Sequence, residues 1–346
     1  MTKQLLLVGS AALMTPHIIR ARTRDALTTF DRATIDSSGA FLIGELERLD
    51  QTINEPLVNV TWSRDIDLRE DVSIADEVAS FTNSSFAAAG GINPNGKNWI
   101  GKDANAIASM SLDIGKTPQP LNLWGAEVSW TLPELASAQQ IGRPIDTQKY
   151  DAMVLKHNMD TDEQVYIGDG LIPNCYGLLN LAAVTPSNVL SDGTGSSPLW
   201  INKTPAQILR DVNTLLNSVW AASGWAQAPT DLRLPPVQFG YIVSQTVSSA
   251  GNISILEFLK QNSLSNSVNG RPLNIQPLKW LTGRGASATD RMMAYTKDKK
   301  YVQFPLVPLQ RTPVEYRSLY QITTYYGRLG QVEARYPETV GYADGI

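Results

Sequence analysis

The sequence predicts an α+β fold, in which strands and helices mix without a regular βαβ rhythm. Two capping-box motifs, Thr131-Leu132-Pro133-Glu134 and Thr204-Pro205-Ala206-Gln207, each precede a helical segment. The C-terminal third returns to strand-like stretches at 292–295, 301–304 and 316–336. Between Pro56 and Pro120 lies a long extended stretch with turn chemistry at its centre and no helix of its own.

Taken in order, residues 1–40 lack a sustained period and read as an arm that gains order from partners. Leu42, Leu46, Leu49 and Ile53 then fall at helical spacing, so a short amphipathic helix ends before Pro56. Val58, Val60 and Trp62 alternate as on a strand, and Met110, Leu112 and Ile114 alternate again on the return. Between them, Gly90-Gly91-Ile92-Asn93-Pro94-Asn95-Gly96 is a turn-rich tip, so 57–120 reads as a β-ribbon. A two-stranded ribbon alone is marginal in water, which requires support from outside the fold.

After the ribbon, the Thr131 capping box starts a helix that runs to Gly142, and Asp146 caps a longer one ending at Gly168-Asp169-Gly170. The Thr204 box, with Pro205 at the first helical position, opens a helix whose apolar stripe is Ile208, Val212, Leu215, Leu216 and Val219. A strand is expected at Val237–Val243 after Pro235-Pro236, then a helix over Ile253–Gln261 burying Leu256 and Leu259. Strands over Tyr316–Tyr326 and Leu329–Tyr336 are expected to pair about Gly327–Gly330.

The chain has 346 residues, 42% hydrophobic but only 18% charged. The charged share lies below the ~25% typical of soluble chains, which suits a protein whose surface is buried between subunits. A net charge of −4 argues against a protein that coats nucleic acid. Basic residues are concentrated at Lys3, Arg20, Arg22, Arg24 and Arg32, consistent with a solvated or interface arm. A single cysteine, Cys175, excludes an intrachain disulfide framework and thiolate zinc clusters. The apolar run Leu5–Met14 has the size of a secretory core, but lacks a charged lead and a small-x-small cleavage site. No other stretch approaches the ~20 apolar residues of a membrane span, so a soluble protein is expected.

Few residues point to chemistry. Gly91–Lys97 has the spacing of a phosphate loop, but Asn98 replaces the hydroxyl that holds Mg²⁺, and no strand-to-helix context surrounds it. Cys175 would need His17 or His157 as a base, and reads as a small buried hydrophobe. The cluster Asp65, Asp67, Glu70 and Asp71 matches no calcium loop. It could supply the paired acids of a β-rich hydrolase, but strand alternation puts Asp65 and Asp67 on one face, where pairing with a neighbour's arginines is the simpler use. Asp160, Asp162 and Glu163 read as helix surface. Trp62, Phe81, Phe86 and Trp99 sit in the extended region, where exposed aromatics suit anchors in an interface, with burial in the chain's own core as the alternative. No catalytic, metal or cofactor site is expected. The candidate interface residues are Arg20, Arg22, Arg24, Trp62, Arg64, Asp65, Asp67, Phe81, Phe86 and Trp99.

The order of these elements resembles a tailed-bacteriophage major capsid protein of the Hong Kong 97 type, a fold shared with encapsulins. The residues carrying the likeness are Trp62-Ser63-Arg64-Asp65-Ile66, Leu132-Pro133-Glu134-Leu135, Gly168-Asp169, Gly177-Leu178-Leu179-Asn180, Arg335-Tyr336-Pro337 and Tyr342-Ala343-Asp344-Gly345-Ile346. The resemblance implies an arm and short helix at 1–56 and an extended ribbon at 57–120. It further implies a peripheral domain with a spine helix at 121–180 and 300–335, and an axial domain at 181–299 and 336–346. It implies hexamers and pentamers in an icosahedral shell of a virion, assembled in the host cytoplasm around double-stranded DNA that is not read by sequence. Separate scaffolding, portal or decoration proteins are the further partners, with no membrane. Because the chain opens directly with the arm, no fused scaffold is expected. An encapsulin-like nanocompartment is the alternative within the same fold.

Overall fold

Thr204 opens a long helix with a buried apolar stripe. Its hydroxyl accepts the Gln207 N–H while the Gln207 side chain accepts the Thr204 N–H, so two orphan donors of the first turn are satisfied reciprocally. The computed structural model describes residues 58–88, 102, 110–141, 145–248 and 251–346. The arm, the helix expected before Pro56 and most of the ribbon tip lie outside these residues. The described residues belong to one compact unit, Leu57–Ile346.

The helices are α1 (Trp62–Asp65), α2 (Leu132–Ile141), α3 (Ile145–Tyr166), α4 (Pro205–Ala222), α5 (Pro236–Ser244), α6 (Ile255–Asn262) and α7 (Leu264–Asn269). The strands up to the middle of the chain are β1 (Asp67–Arg69), β2 (Val78–Ala88), β3 (Met110–Pro120), β4 (Asn122–Thr131), β5 (Ser187–Asn188), β6 (Asp231–Leu234), β7 (Thr246–Ser248) and β8 (Gly251–Ser254). They continue as β9 (Asn274–Pro277), β10 (Arg291–Tyr295), β11 (Val302–Arg311), β12 (Glu315–Arg317), β13 (Tyr320–Leu329), β14 (Glu333–Ala334) and β15 (Val340–Asp344).

Two sheets organise the unit. The mixed five-stranded sheet runs β5-β15-β10-β6-β9. Its central strands are covered on both faces, which explains the nearly unbroken apolar run Met292-Met293-Ala294-Tyr295. Met292 and Ala294 join the buried stripe of α4 in one core, whereas Met293 and Tyr295 join Phe304, Val302 and Tyr166 in the second. The other sheet has β1-β11-β13-β12 in order, with β14 also on β11 and β4 along the full length of β13. Val128 and Trp130 of β4 pack on Met153 of α3, forming a third small core.

The C-terminus of α3 is closed by the loop that follows it. Leu178 and Leu179 donate backbone N–H to the Val165 and Tyr166 carbonyls at 2.8 and 3.0 Å, and the Asn180 side-chain amide donates to Ile167 O at 2.8 Å. Gly177 is required for this approach, because a Cβ there would lie 2.3 Å from the Tyr166 carbonyl carbon. Gly168, at φ +76°, turns the chain out of the helix.

Several sequence expectations change. Val237–Val243 is helical: Pro236 starts α5 at a first-turn position where its missing N–H costs nothing, and the true strand is the preceding β6. The alternation at Val58–Trp62 leads into the single turn α1 instead of a strand. Leu329–Tyr336 does not pair back on Tyr316–Tyr326. Instead β13 pairs with β4, β11 and β12, and Gly327 lies inside the strand against Val307 O, where a Cβ would sit 3.0 Å away. The turn is displaced to Ser318, at φ +57°. The expected helix after Ile253 begins at Ile255, capped by Ser254, with Leu259 buried and Leu256 half-buried.

Candidate assembly surfaces and the buried charge network

The ribbon of β2 and β3 is in unbroken antiparallel register from Val78↔Pro120 to Ala88↔Met110. Its root is fixed to the body. Ala79, Phe81 and Gln119 are buried, Leu121 N donates to Glu77 O at 2.9 Å, and Arg69 donates to both Ser80 O and the buried Glu333 carboxylate. Arg328 holds the carbonyls of Ile74 and Leu121 at 2.8 and 3.0 Å. Beyond the root the ribbon leaves the body: Thr82, Asn83 and Ser84 are exposed, and so is every residue from Leu112 to Pro118. Leu112 is 53% and Ile114 61% exposed on this free stretch, two apolar side chains that solvent alone does not reward.

Below the root lies a buried charge network. Asp65, at the end of α1, receives Arg64 Nε at 2.7 Å and Arg233 Nε at 2.9 Å on one oxygen, and Arg64 Nη2 at 2.8 Å and the Tyr166 hydroxyl at 2.5 Å on the other. Arg233 also donates to Asp231 at 3.0 Å and to the carbonyls of Leu232 and Asn274. Two arginines and two aspartates thus balance in charge, and nearly every donor is used, the condition under which buried ions are tolerated. Burial alone pushes the Asp65 carboxyl up, but the Arg64 hydrogen bond, the Arg233 charge and the Tyr166 hydroxyl outweigh it and hold it below the ordinary carboxylate range. Tyr166 is raised by burial and by the neighbouring Asp65 charge, so it remains a neutral donor.

Asp162 fixes the same turn from α3. One carboxylate oxygen caps α1 by accepting Thr61 N at 2.8 Å and Trp62 N at 3.0 Å, and the other accepts Trp280 Nε1 at 2.7 Å. Helix α3, the approach to the ribbon and the five-stranded sheet are therefore tied through side chains distant in sequence.

The candidate interface residues scatter over this geometry. Asp65 does not await a neighbour's arginine: it is fully buried and neutralised within the chain, because α1 turns it inward where strand alternation would have turned it out. Asp67 is half-buried, 3.8 Å from Lys297, while Glu70 is exposed and Asp71 pairs with Arg69, so the acidic cluster does not converge on paired acids. Trp62 packs half-buried on the second core, and Phe81 is buried at the ribbon root, the alternative given for the aromatics. Arg64 keeps a third of its side chain in solvent. Phe86 stands opposite Leu112 in the ribbon register. Trp99, Arg20, Arg22 and Arg24, and the phosphate-loop-like Gly91–Lys97, lie outside the described residues. Asp162 is buried, against the helix-surface expectation, and Asp160 accepts Trp124 Nε1 at 3.0 Å. Cys175 is buried and its sulfur receives the Gln164 amide.

Sequence reasoning missed Arg233, Arg69, Arg328, Leu112 and Ile114 as structural or surface determinants. For Leu112 and Ile114 the alternation was visible, but not which face stays open. Arg233 has no local signal, since its partner Asp65 lies 168 residues away. Among the described residues, no group of three or more His, Cys, Asp or Glu side chains could hold a metal ion, and no helix is long and apolar enough to cross a membrane.

The chain gives no match among curated protein sequences. Its structure is similar to the capsid of Myoviridae phage XM1, with a TM-score of 0.68 and 15% identity over 88% of this chain and 98% of that one. It is similar to a structure of Gordonia phage Cozz, with a TM-score of 0.56 and 12% identity over 96% of this chain and 98% of that one. The holo-SrpI encapsulin complex from Synechococcus elongatus matches with a TM-score of 0.50 and 10% identity, over 88% of this chain and 95% of that one. The family model described as major capsid protein matches residues 96–346, well over half of the chain. The chain belongs to the major capsid protein family, with the Hong Kong 97-type fold, and is a structural shell protein, not an enzyme.

Proposed function

We propose that copies of this chain close into hexamers and pentamers that tile an icosahedral shell around double-stranded DNA. In this reading the five-stranded sheet with α4 belongs to the axial domain at 181–299 and 336–346. The sheet carrying β4 and β13, with spine helix α3, forms the peripheral domain at 121–180 and 300–335. The ribbon at 57–120 lies across an adjacent copy, and the arm at 1–56 adds a further tie. Separate scaffolding, portal or decoration proteins would complete the particle.

The observation that carries the reading is the free length of β2 and β3. The strands pair over eleven residues, and past the buried root at Phe81 and Gln119 residues 82–84 and 112–118 are exposed, so a two-stranded ribbon with exposed Leu112 and Ile114 is marginal until another surface covers it. Head-to-tail contacts of one patch with a different patch on the next copy close into rings when the rotation permits. Many modest contacts then act together. The net charge of −4 suits a container that must not hold its nucleic acid tightly.

The likeness to an encapsulin shell keeps a protein-filled compartment as the second reading. Electron microscopy of purified particles, with nuclease-protected DNA and co-purifying protein measured on the same sample, separates the two. Closed shells enclosing protected DNA support the first reading; shells holding a protein cargo and no protected DNA support the second; a protein that forms no particle contradicts both.

A further inference from the structure

The two ends of α4 carry features of opposite shape. At its N-terminal end the turn Leu199–Asn202 presents Ile201 at 70% and Leu199 at 43% exposure, while Trp200 between them is buried in the α4 core. Anchoring the middle residue forces its two neighbours outward. The turn is held rigidly: Thr194 N donates to Asn202 O at 2.8 Å, the Asn202 side chain donates to Ser197 at 3.0 Å, and the Gln207 amide donates to Asp192 O at 2.8 Å. Beneath it the buried Lys203 ammonium meets Asp211 at 2.6 Å.

At the C-terminal end a cavity of about 460 Å³ opens between the end of α4 and the loops of Tyr301 and Tyr336. Its wall includes Ser223, Ala226, Gln227 and the edge-to-face pair Tyr301–Tyr336, with ring centroids 5.7 Å apart. Trp225 stands between lining residues Gly224 and Ala226. It is 57% exposed, leans edge-on against Trp220 at 4.8 Å, and has φ +65°, a conformation an aromatic residue rarely adopts. Backbone strain of this kind persists where the surroundings over-determine it and marks functional positions.

We infer that the Leu199–Asn202 turn of one copy seats in the Ala226–Tyr301–Tyr336 cavity of the next copy in the ring, with Ile201 as the inserted side chain. A ring needs head-to-tail contact between two different patches, and a rigid helix of 18 residues, roughly 27 Å long, separates these two on one body. One patch is a convex apolar knob, the other a concave aromatic socket, and the cavity is larger than an isoleucine side chain. Both are fixed before contact, so little ordering entropy opposes docking. A second copy is the occupant because the family builds its shell from copies of one chain. The inference rests on the ring assembly proposed above.

The test uses assembled wild-type particles and three cysteine variants: Ile201→Cys, Ala226→Cys and the double variant, each treated with a short thiol-reactive cross-linker. The double variant should give a ladder of covalent oligomers and each single variant none, since the native Cys175 is buried. In parallel, Ile201→Asp should unfold at the wild-type temperature but raise the concentration needed for assembly roughly tenfold or more, as loss of a central interface residue does. If wild-type particles form while the double variant gives no ladder and Ile201→Asp assembles normally, this contact is overturned and the shell reading stands. If the wild type forms no ring or shell, both fall.

Discussion

Arg233 Nε lies 2.9 Å from Asp65 Oδ1, and neither side chain has any exposure to solvent. The bond joins β6, an interior strand of the five-stranded sheet, to the single turn α1 that precedes β1 and the ribbon. Asp65→Ala would leave two guanidinium groups without their shared acceptor. Truncating one partner of a buried pair costs about 3–5 kcal/mol, so Asp65→Ala should unfold at far lower denaturant, with assembly lost through misfolding. Equilibrium urea unfolding of the isolated subunit measures this. A loss below about 1 kcal/mol would mean that water reaches the network.

Acid should weaken the subunit in two steps. His157 is buried edge-on to Trp124, its ring centroid 4.7 Å away, and burial lowers its pKa below 6.5 while the Asp160 charge opposes that shift. The unfolded chain therefore binds the proton first, and stability is lost as pH falls below the unfolded value near 6.5 toward the folded one. Asp65 is depressed, so its contribution is held above the unfolded carboxylate pKa and is lost only as pH falls through the lower folded value. Asp211 runs the other way, raised mainly by burial against the pull of Lys203, and recovers stability as pH falls. Melting temperatures across pH 8 to 3 should show a decline beginning near 6.5, and His157→Gln should flatten that first part.

Gly177→Ala should destabilise by about 1–3 kcal/mol, the range for forcing atoms into a filled site. The added Cβ would meet the Tyr166 carbonyl at 2.3 Å and push the closing loop off the end of α3. Hydrogen exchange should report the loss as faster exchange at Leu178 and Leu179, whose N–H groups cap that end. Unchanged exchange at both positions would show that the loop relaxes freely.

Arg328→Ala removes the donor that holds Ile74 O and Leu121 O at the ribbon root. Stranding partly buried carbonyls costs about 1–3 kcal/mol. Limited proteolysis should then cut between residues 70 and 80 several times faster, with the α4 core intact. Equal cutting rates would show that Arg328 does not hold this root.

Much of this architecture was legible because it is local. The capping boxes at Thr131 and Thr204 are written within four residues, and both helices start there. The ribbon was visible as alternation broken by turn residues and ended by Pro118 and Pro120. The misread elements are those decided by distant partners. Val237, Phe239, Tyr241 and Val243 alternate as on a strand, yet one turn of α5 has begun at Pro236, and the adjacent strand β6 was hidden by its own charges. Asp231 and Arg233 look like surface residues until Asp65 and Asn274 are brought to them by the fold. Asp162 was hidden for the same reason: nothing near it in sequence tells that Thr61 and Trp280 will arrive. Which face of Leu112 and Ile114 stays open depends on a body that the ribbon leaves behind.

That open face is where a neighbouring copy would complete the ribbon. Leu112→Asp with Ile114→Asp changes only exposed positions, where substitutions shift stability by about 0.5 kcal/mol or less. Sedimentation and electron microscopy of this variant beside the wild type should show a folded subunit with an unchanged melting temperature that no longer forms shells. Shells of normal number and size from the variant would contradict the claim that the ribbon is completed by a neighbouring copy.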